Sequence, residues 1–137
     1  MIRPLRACAL LVGVLASACA PAPTPPAPHA SALWNTRWVS ADKSTGADAP
    51  TIEFIRDRAN GFTGCNRWFA QVESRDADRF RFVAVGSTRR ACEPEAMAIE
   101  VAFLAVLEST EAARTEDGLL VLYDAEGAAL ARFEPQR

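Results

Sequence analysis

Histidine is almost missing from this chain: the single one, His29, sits in a proline-rich stretch outside any segment able to build a core. That excludes imidazole chemistry, which covers Ser/His/Asp and Cys/His nucleophile activation and the usual imidazole metal sites. Lysine is as scarce, with Lys43 alone in a polar Asp-Lys-Ser-Thr-Gly run, a poor place for a desolvated Schiff-base amine. Basic charge is not in surplus either, since 15 Lys and Arg face 17 Asp and Glu for a net charge of −2. A nucleic-acid binder needs a net basic face for its phosphate contacts, so nucleic acid is not an expected partner. No apolar run reaches the roughly 20 residues of a spanning helix.

What is present fits one globular domain: 137 residues, half of them hydrophobic and 23% charged. The N-terminus reads as an address. Arg3 and Arg6 precede a short apolar run over residues 7–15, and the small residues Ala16 and Ala18 suit a signal peptidase. Residues 1–18 are therefore a predicted signal peptide, cut before Cys19. Cys19 resembles the lipid-acceptor (palmitate-bearing) cysteine of bacterial lipoproteins, although Leu15 stands four places before it and Ala16 takes the usual leucine position. The alternative is an ordinary Ala-x-Ala secretory site with Cys19 as its first residue; both export the protein. Loss of Arg3 and Arg6 leaves 13 basic against 17 acidic groups, a net charge of −4.

Residues 19–32 then form the lipidated cysteine and a tether. Pro21, Pro23, Pro25, Pro26 and Pro28 among small residues favour extended polyproline II, which at about 3.1 Å per residue would reach roughly 40 Å from a membrane surface. Ala20 after Cys19, in place of Asp, resembles the default for retention at the outer membrane, facing the periplasm.

Residues 33–137 are the predicted domain, large enough to bury about two-thirds of its unfolded surface. Residues 36–40 and 51–56 read as strands around a loop rich in Asp, Gly and Ser, and Asn60-Gly61 reads as a turn. Residues 67–72 and 79–85 are further strands around a polar 73–78 segment, the second with Phe80 and Phe82 inward and Arg79 and Arg81 outward. The period changes over 93–108, where Met97, Val101 and Leu104 with Ile99, Phe103 and Val106 or Leu107 make a broad apolar stripe behind Pro94. Glu93, Glu95 and Glu100 suit the positive end of that helix dipole. Residues 112–115, 119–123 and 129–134 close the chain as a three-strand meander across two Gly-containing turns.

Two separated motifs carry a family resemblance: Gly61-Phe62-Thr63-Gly64-Cys65-Asn66-Arg67, then Ser87-Thr88-Arg89-Arg90-Ala91-Cys92 followed by Glu100, Phe103 and Leu107 on the helix. With Trp38 and the Pro50-Thr51-Ile52-Glu53-Phe54 strand, the domain resembles the META domain, a family that includes HslJ-type heat-inducible envelope proteins. The resemblance implies an α+β fold: a single domain in which a strongly curved antiparallel sheet, a partial barrel, packs against one helix. It also implies occurrence in bacterial lipoproteins and brings no active site to transfer onto Cys65, Asn66, Arg89 or Cys92.

Removing Cys8 with the signal and committing Cys19 to lipid leaves Cys65 and Cys92, an even pair in an oxidising compartment, which favours a disulfide closing about 28 residues. A reactive thiol is the alternative, with no Cys-x-x-Cys spacing and only Arg67, Arg89 and Arg90 to lower its pKa. Two cysteines without histidine fall short of a zinc site, so neither metal nor cofactor is expected. Asn66 in its Gly-rich turn is expected to cap backbone groups or take a left-handed conformation. Arg89 and Arg90 are candidate anion contacts near the helix start, against a plain solvated role. Trp38 is expected in the core, and Trp34, on the same strand face at the tether junction, is the surface candidate for ligand contact.

The reading these residues support is a non-enzymatic cell-envelope lipoprotein with no catalytic residues, anchored to membrane through Cys19. Its domain would bind a protein, peptide or apolar ligand or serve envelope stress tolerance. Two other classes stay open: an enzyme using paired carboxylates as acid and base, and an assembly or pilot protein for an outer-membrane partner.

Overall fold

The computed structural model describes residues 30–42, 46, 49–76 and 79–137. The predicted signal peptide, Cys19, His29 and nearly all of the predicted tether lie outside the described residues. A short 3-10 turn, Ala30–Leu33, leads into β1 (Arg37–Ser40), β2 (Thr51–Ile55), β3 (Arg58–Phe62), β4 (Arg67–Asp76) and β5 (Arg79–Ser87). Helix α1 (Pro94–Ser109) follows, and then β6 (Ala112–Glu116), β7 (Leu119–Tyr123) and β8 (Ala129–Pro135). Among the described residues these eight strands form one antiparallel sheet in the order β5-β4-β3-β2-β1-β8-β7-β6. The sheet curls into a half-barrel until its two ends meet, where the Phe80 amide donates to Glu111 O at 2.9 Å. The fold is thus the α+β half-barrel with one packed helix that the family resemblance implies.

The strand period explains the core. Alternate residues project inward, so Trp38, Ile52, Phe54, Trp68, Phe80, Phe82, Leu120, Leu122 and Phe133 meet inside the curl. Arg79 and Arg81 stay on the exposed face, as the alternation predicts. A register shift between Phe69 and Gln71, opposite Ala84 with φ 54°, adds local twist that helps the long β4–β5 ladder bend.

Three local readings differ from the structure. Asn60-Gly61 is not a turn but the middle of β3, with Asn60 opposite Glu53 and Phe69 and Gly61 opposite Trp68. The chain reverses instead at Arg56, which takes φ 53°. Gly61 is there for space: a Cβ on it would lie 2.0 Å from Thr51 O and 2.9 Å from Trp68 Nε1, where the indole crosses to donate to Thr51 O at 3.0 Å. Gly61→Ala is expected to cost at the upper end of the roughly 1–3 kcal/mol of overpacking, read as a lower urea midpoint. Second, β4 runs through the polar 73–76 segment, because Glu73 and Ser74 pair with Arg81 and Phe80 on β5.

The third concerns α1, whose Met97–Val101 side faces solvent, with Val101 70% exposed. The buried face is Ala96, Phe103 and Leu107. Apolar side chains surround nearly the whole helix, so periodicity does not choose a side. Phe103 chooses it, with edge-on contacts to Trp68 at 5.6 Å and Phe133 at 6.2 Å. Pro94 opens the helix, and Thr110 closes it in extended conformation, its hydroxyl donating to Val106 O at 2.7 Å.

Candidate functional site

At one end of the half-barrel, the turn after β3 and the loop before α1 are clasped together. Gly64 takes φ 108°, a conformation open to glycine, and lets the chain double back so that the Thr63 amide donates to Asn66 O at 2.8 Å. The Thr63 hydroxyl accepts from the amides of Cys65 and Asn66 and is bonded to Glu100 Oε2 on α1. Asn66 reaches the other way. Its Oδ1 accepts from the Arg90 amide at 2.8 Å and the Thr88 hydroxyl at 3.0 Å, and its Nδ2 donates to Arg90 O and Glu100 Oε1. The covalent member of the clasp is the Cys65–Cys92 disulfide.

Beside the clasp a solvent-open cavity of about 690 Å³ lies over the ends of β1 to β4. Asn66 and Arg90 line it from the clasp, and Arg37, Glu53, Asn60 and Arg67 line it from the strands. Register places these groups: Arg37, Glu53 and Asn60 stand side by side on the outer face of β1, β2 and β3, and Arg67 stands opposite Phe62. Arg37 Nε donates to Glu53 Oε1 at 2.8 Å, and Arg90 Nη2 donates to Cys65 O at 2.9 Å. The Arg67 guanidinium makes no hydrogen bond or ion pair with a described residue. Three guanidinium groups therefore face one carboxylate, which is already paired, and the cavity is a small basic site on an acidic chain. A second hollow, about 570 Å³ and largely apolar, lies between α1 and β8 and includes Ile99, Val106 and Ala131.

The META domain family matches residues 29–137. The chain belongs to this family. Two solved structures share the META-domain fold seen here. A protein from Burkholderia xenovorans, solved by NMR, is 24% identical with a TM-score of 0.65, covering 91% of this chain and 99% of its own. A second NMR structure is 16% identical with a TM-score of 0.58, covering 76% of this chain and 92% of its own. No curated protein matches the chain.

Within this META domain the predicted site residues separate. Asn66 and Arg90 come together at the cavity, whereas Arg89, exposed as Arg90 is, does not line it. Asn66 caps backbone groups of the neighbouring loop, as expected, and does so without a left-handed backbone. Trp34 is not on a strand with Trp38; it follows the 3-10 turn and packs half-buried on Phe54, ring centroids 6.4 Å apart, and it does not line the cavity. Trp38 is in the core. Glu100 stands one turn beyond Ala96 on the inward stripe and answers Thr63 and Asn66, so the dipole account does not explain it.

The sequence did not point to Arg37, Asn60 and Arg67 as one site, because only strand register brings them to one place. Glu100 did leave a signal, a carboxylate at helical spacing between Ala96 and Phe103. Of carboxylates that share a hollow, Glu73 and Glu111 do so with Arg79 and Arg81; Arg81 Nε lies 3.5 Å from Glu111 Oε1, and the group is exposed. Among the described residues no cluster of three His, Cys, Asp or Glu is placed to hold a metal ion, and no helix is long and apolar enough to cross a membrane.

Proposed function

We propose that this META-domain protein is a non-enzymatic binding lipoprotein of the bacterial envelope, held to the outer membrane through Cys19 and spaced from it by the proline tether. The observation that carries the binding reading is the open cavity, whose arginine and asparagine donors stand on paired strands and on the clasp, with the Arg67 guanidinium and the Asn60 amide making no side-chain hydrogen bond to a described residue. Glu53, the carboxylate that lines it, is engaged by Arg37, which suits recognition better than proton transfer.

Two measurements test the two halves. Intact mass spectrometry of protein recovered from a bacterial membrane fraction should show a chain beginning at an acylated Cys19, and Cys19→Ser should release it to the soluble fraction. Unacylated, soluble wild-type protein would overturn the anchor. For the domain, amide spectra of the full chain carrying Cys19→Ser should register compounds at Asn60, Gly61 and Thr88 that are recovered unchanged. Conversion of a compound by this protein, lost on Glu53→Gln, would overturn the non-enzymatic reading.

A further inference from the structure

We infer that the cavity bounded by Arg37, Arg67 and Arg90 is a site for a phosphate group, free or carried on a larger molecule; this rests on the binding reading above and names its ligand class. Charge comes first. The cavity carries three guanidinium groups against Glu53, in a chain whose net charge is −2, so its sign is opposite to that of the whole. A phosphate monoester brings about −1.5 to −2 charges at neutral pH, which matches that surplus more closely than one carboxylate does.

The donors agree. Each guanidinium has five N–H groups in a planar fork suited to two oxygens at once. Arg67 spends none of its own on a described residue, Arg90 is seen to spend one on Cys65 O, and Arg37 is seen to spend Nε on Glu53. The Asn60 amide, on the same outer face, has no side-chain partner among the described residues either.

The three arginines are exposed, and what is held in place is the backbone that carries them. Arg37 and Arg67 project from paired strands, and the Arg90 backbone is held from both sides by Asn66. Size then speaks for a larger carrier. About 690 Å³ is within the range of small-molecule sites and exceeds a bare phosphate ion, and Phe62 gives the wall an apolar part for the remainder.

The test uses the full chain carrying Cys19→Ser at low ionic strength, followed by amide spectra with inorganic phosphate and with glycerol 3-phosphate, and by co-sedimentation with vesicles of phosphatidylcholine alone or with phosphatidic acid. Saturable shifts are expected at Asn60, Gly61, Arg67, Thr88 and Arg90, with affinity falling at least about tenfold in Arg67→Gln. That variant changes a side chain that makes no hydrogen bond or ion pair with a described residue, so the rest of its spectrum should match the parent. Glycerol 3-phosphate binding without vesicle recruitment assigns a soluble phosphoester. Recruitment to phosphatidic acid that Arg67→Gln abolishes assigns a lipid headgroup. No saturable shift with either soluble phosphate, or equal affinity in Arg67→Gln, would overturn the site. Uptake of an uncharged compound at the same amides without phosphate binding would overturn the phosphate assignment while leaving the binding reading standing.

Discussion

Trp68→Ala should lower the stability of the domain by about 3 to 5 kcal/mol, the range for truncating a large buried aromatic. Trp68 is 1% exposed and sits where β4, β5 and α1 meet, edge-on to Phe82 at 5.7 Å and Phe103 at 5.6 Å. Its loss opens a void between three elements and removes the indole N–H that satisfies Thr51 O. For a domain near 100 residues this corresponds to a fall in Tm of about 15 to 25 °C, measurable by calorimetry. Trp68→Phe keeps a ring and loses the N–H and part of the volume, so it should fall well short of the alanine variant. An alanine variant within about 1 kcal/mol of wild type would show that this junction is not packed.

Removing the disulfide is the second large effect. Closure of a loop of about 28 residues is worth about 3 to 4 kcal/mol in the chain-entropy account, out of a typical net stability of about 5 to 15 kcal/mol. Urea unfolding of Cys65→Ser/Cys92→Ser beside wild type should show that loss. The m value should rise at the same time, because the unfolded chain without the cross-link is more expanded. A loss accompanied by an unchanged m value would place the effect in native packing instead. The folded variant should keep its shape, since Thr63, Asn66 and Glu100 still join the same two loops by hydrogen bonds.

Much of the fold was legible because it rests on local rules. Alternation placed Phe80 and Phe82 inward, the change of period marked α1, and cysteine arithmetic paired Cys65 with Cys92, as the structure pairs them. The errors share one cause, which is that a residue type with a local meaning was used for a tertiary purpose. Asn60-Gly61 has turn chemistry, but Gly61 answers the indole of Trp68, a residue on the next strand. Met97 and Val101 have core chemistry, but Phe103 decided which way the helix faces. The cavity was hidden for a related reason. Arg37 lies 30 positions before Arg67 in the chain, and a one-residue slip in either strand would point it to the other face of the sheet.

The meeting of the sheet's two ends bears on how the protein behaves among its own copies. β5 and β6 are the ends of the strand order, the places where an unpaired row of backbone groups could recruit a strand from a neighbouring chain. Curling brings these ends against each other, the Phe80–Glu111 hydrogen bond joins them, and α1 packs against β5. What stays outward on β5 is interrupted by Ala84 and studded with Arg79 and Arg81. Closure of the half-barrel therefore acts as a guard against edge-to-edge aggregation, and it leaves the outer face of the sheet, with the charged groups of β1 to β4 on it, open to solvent.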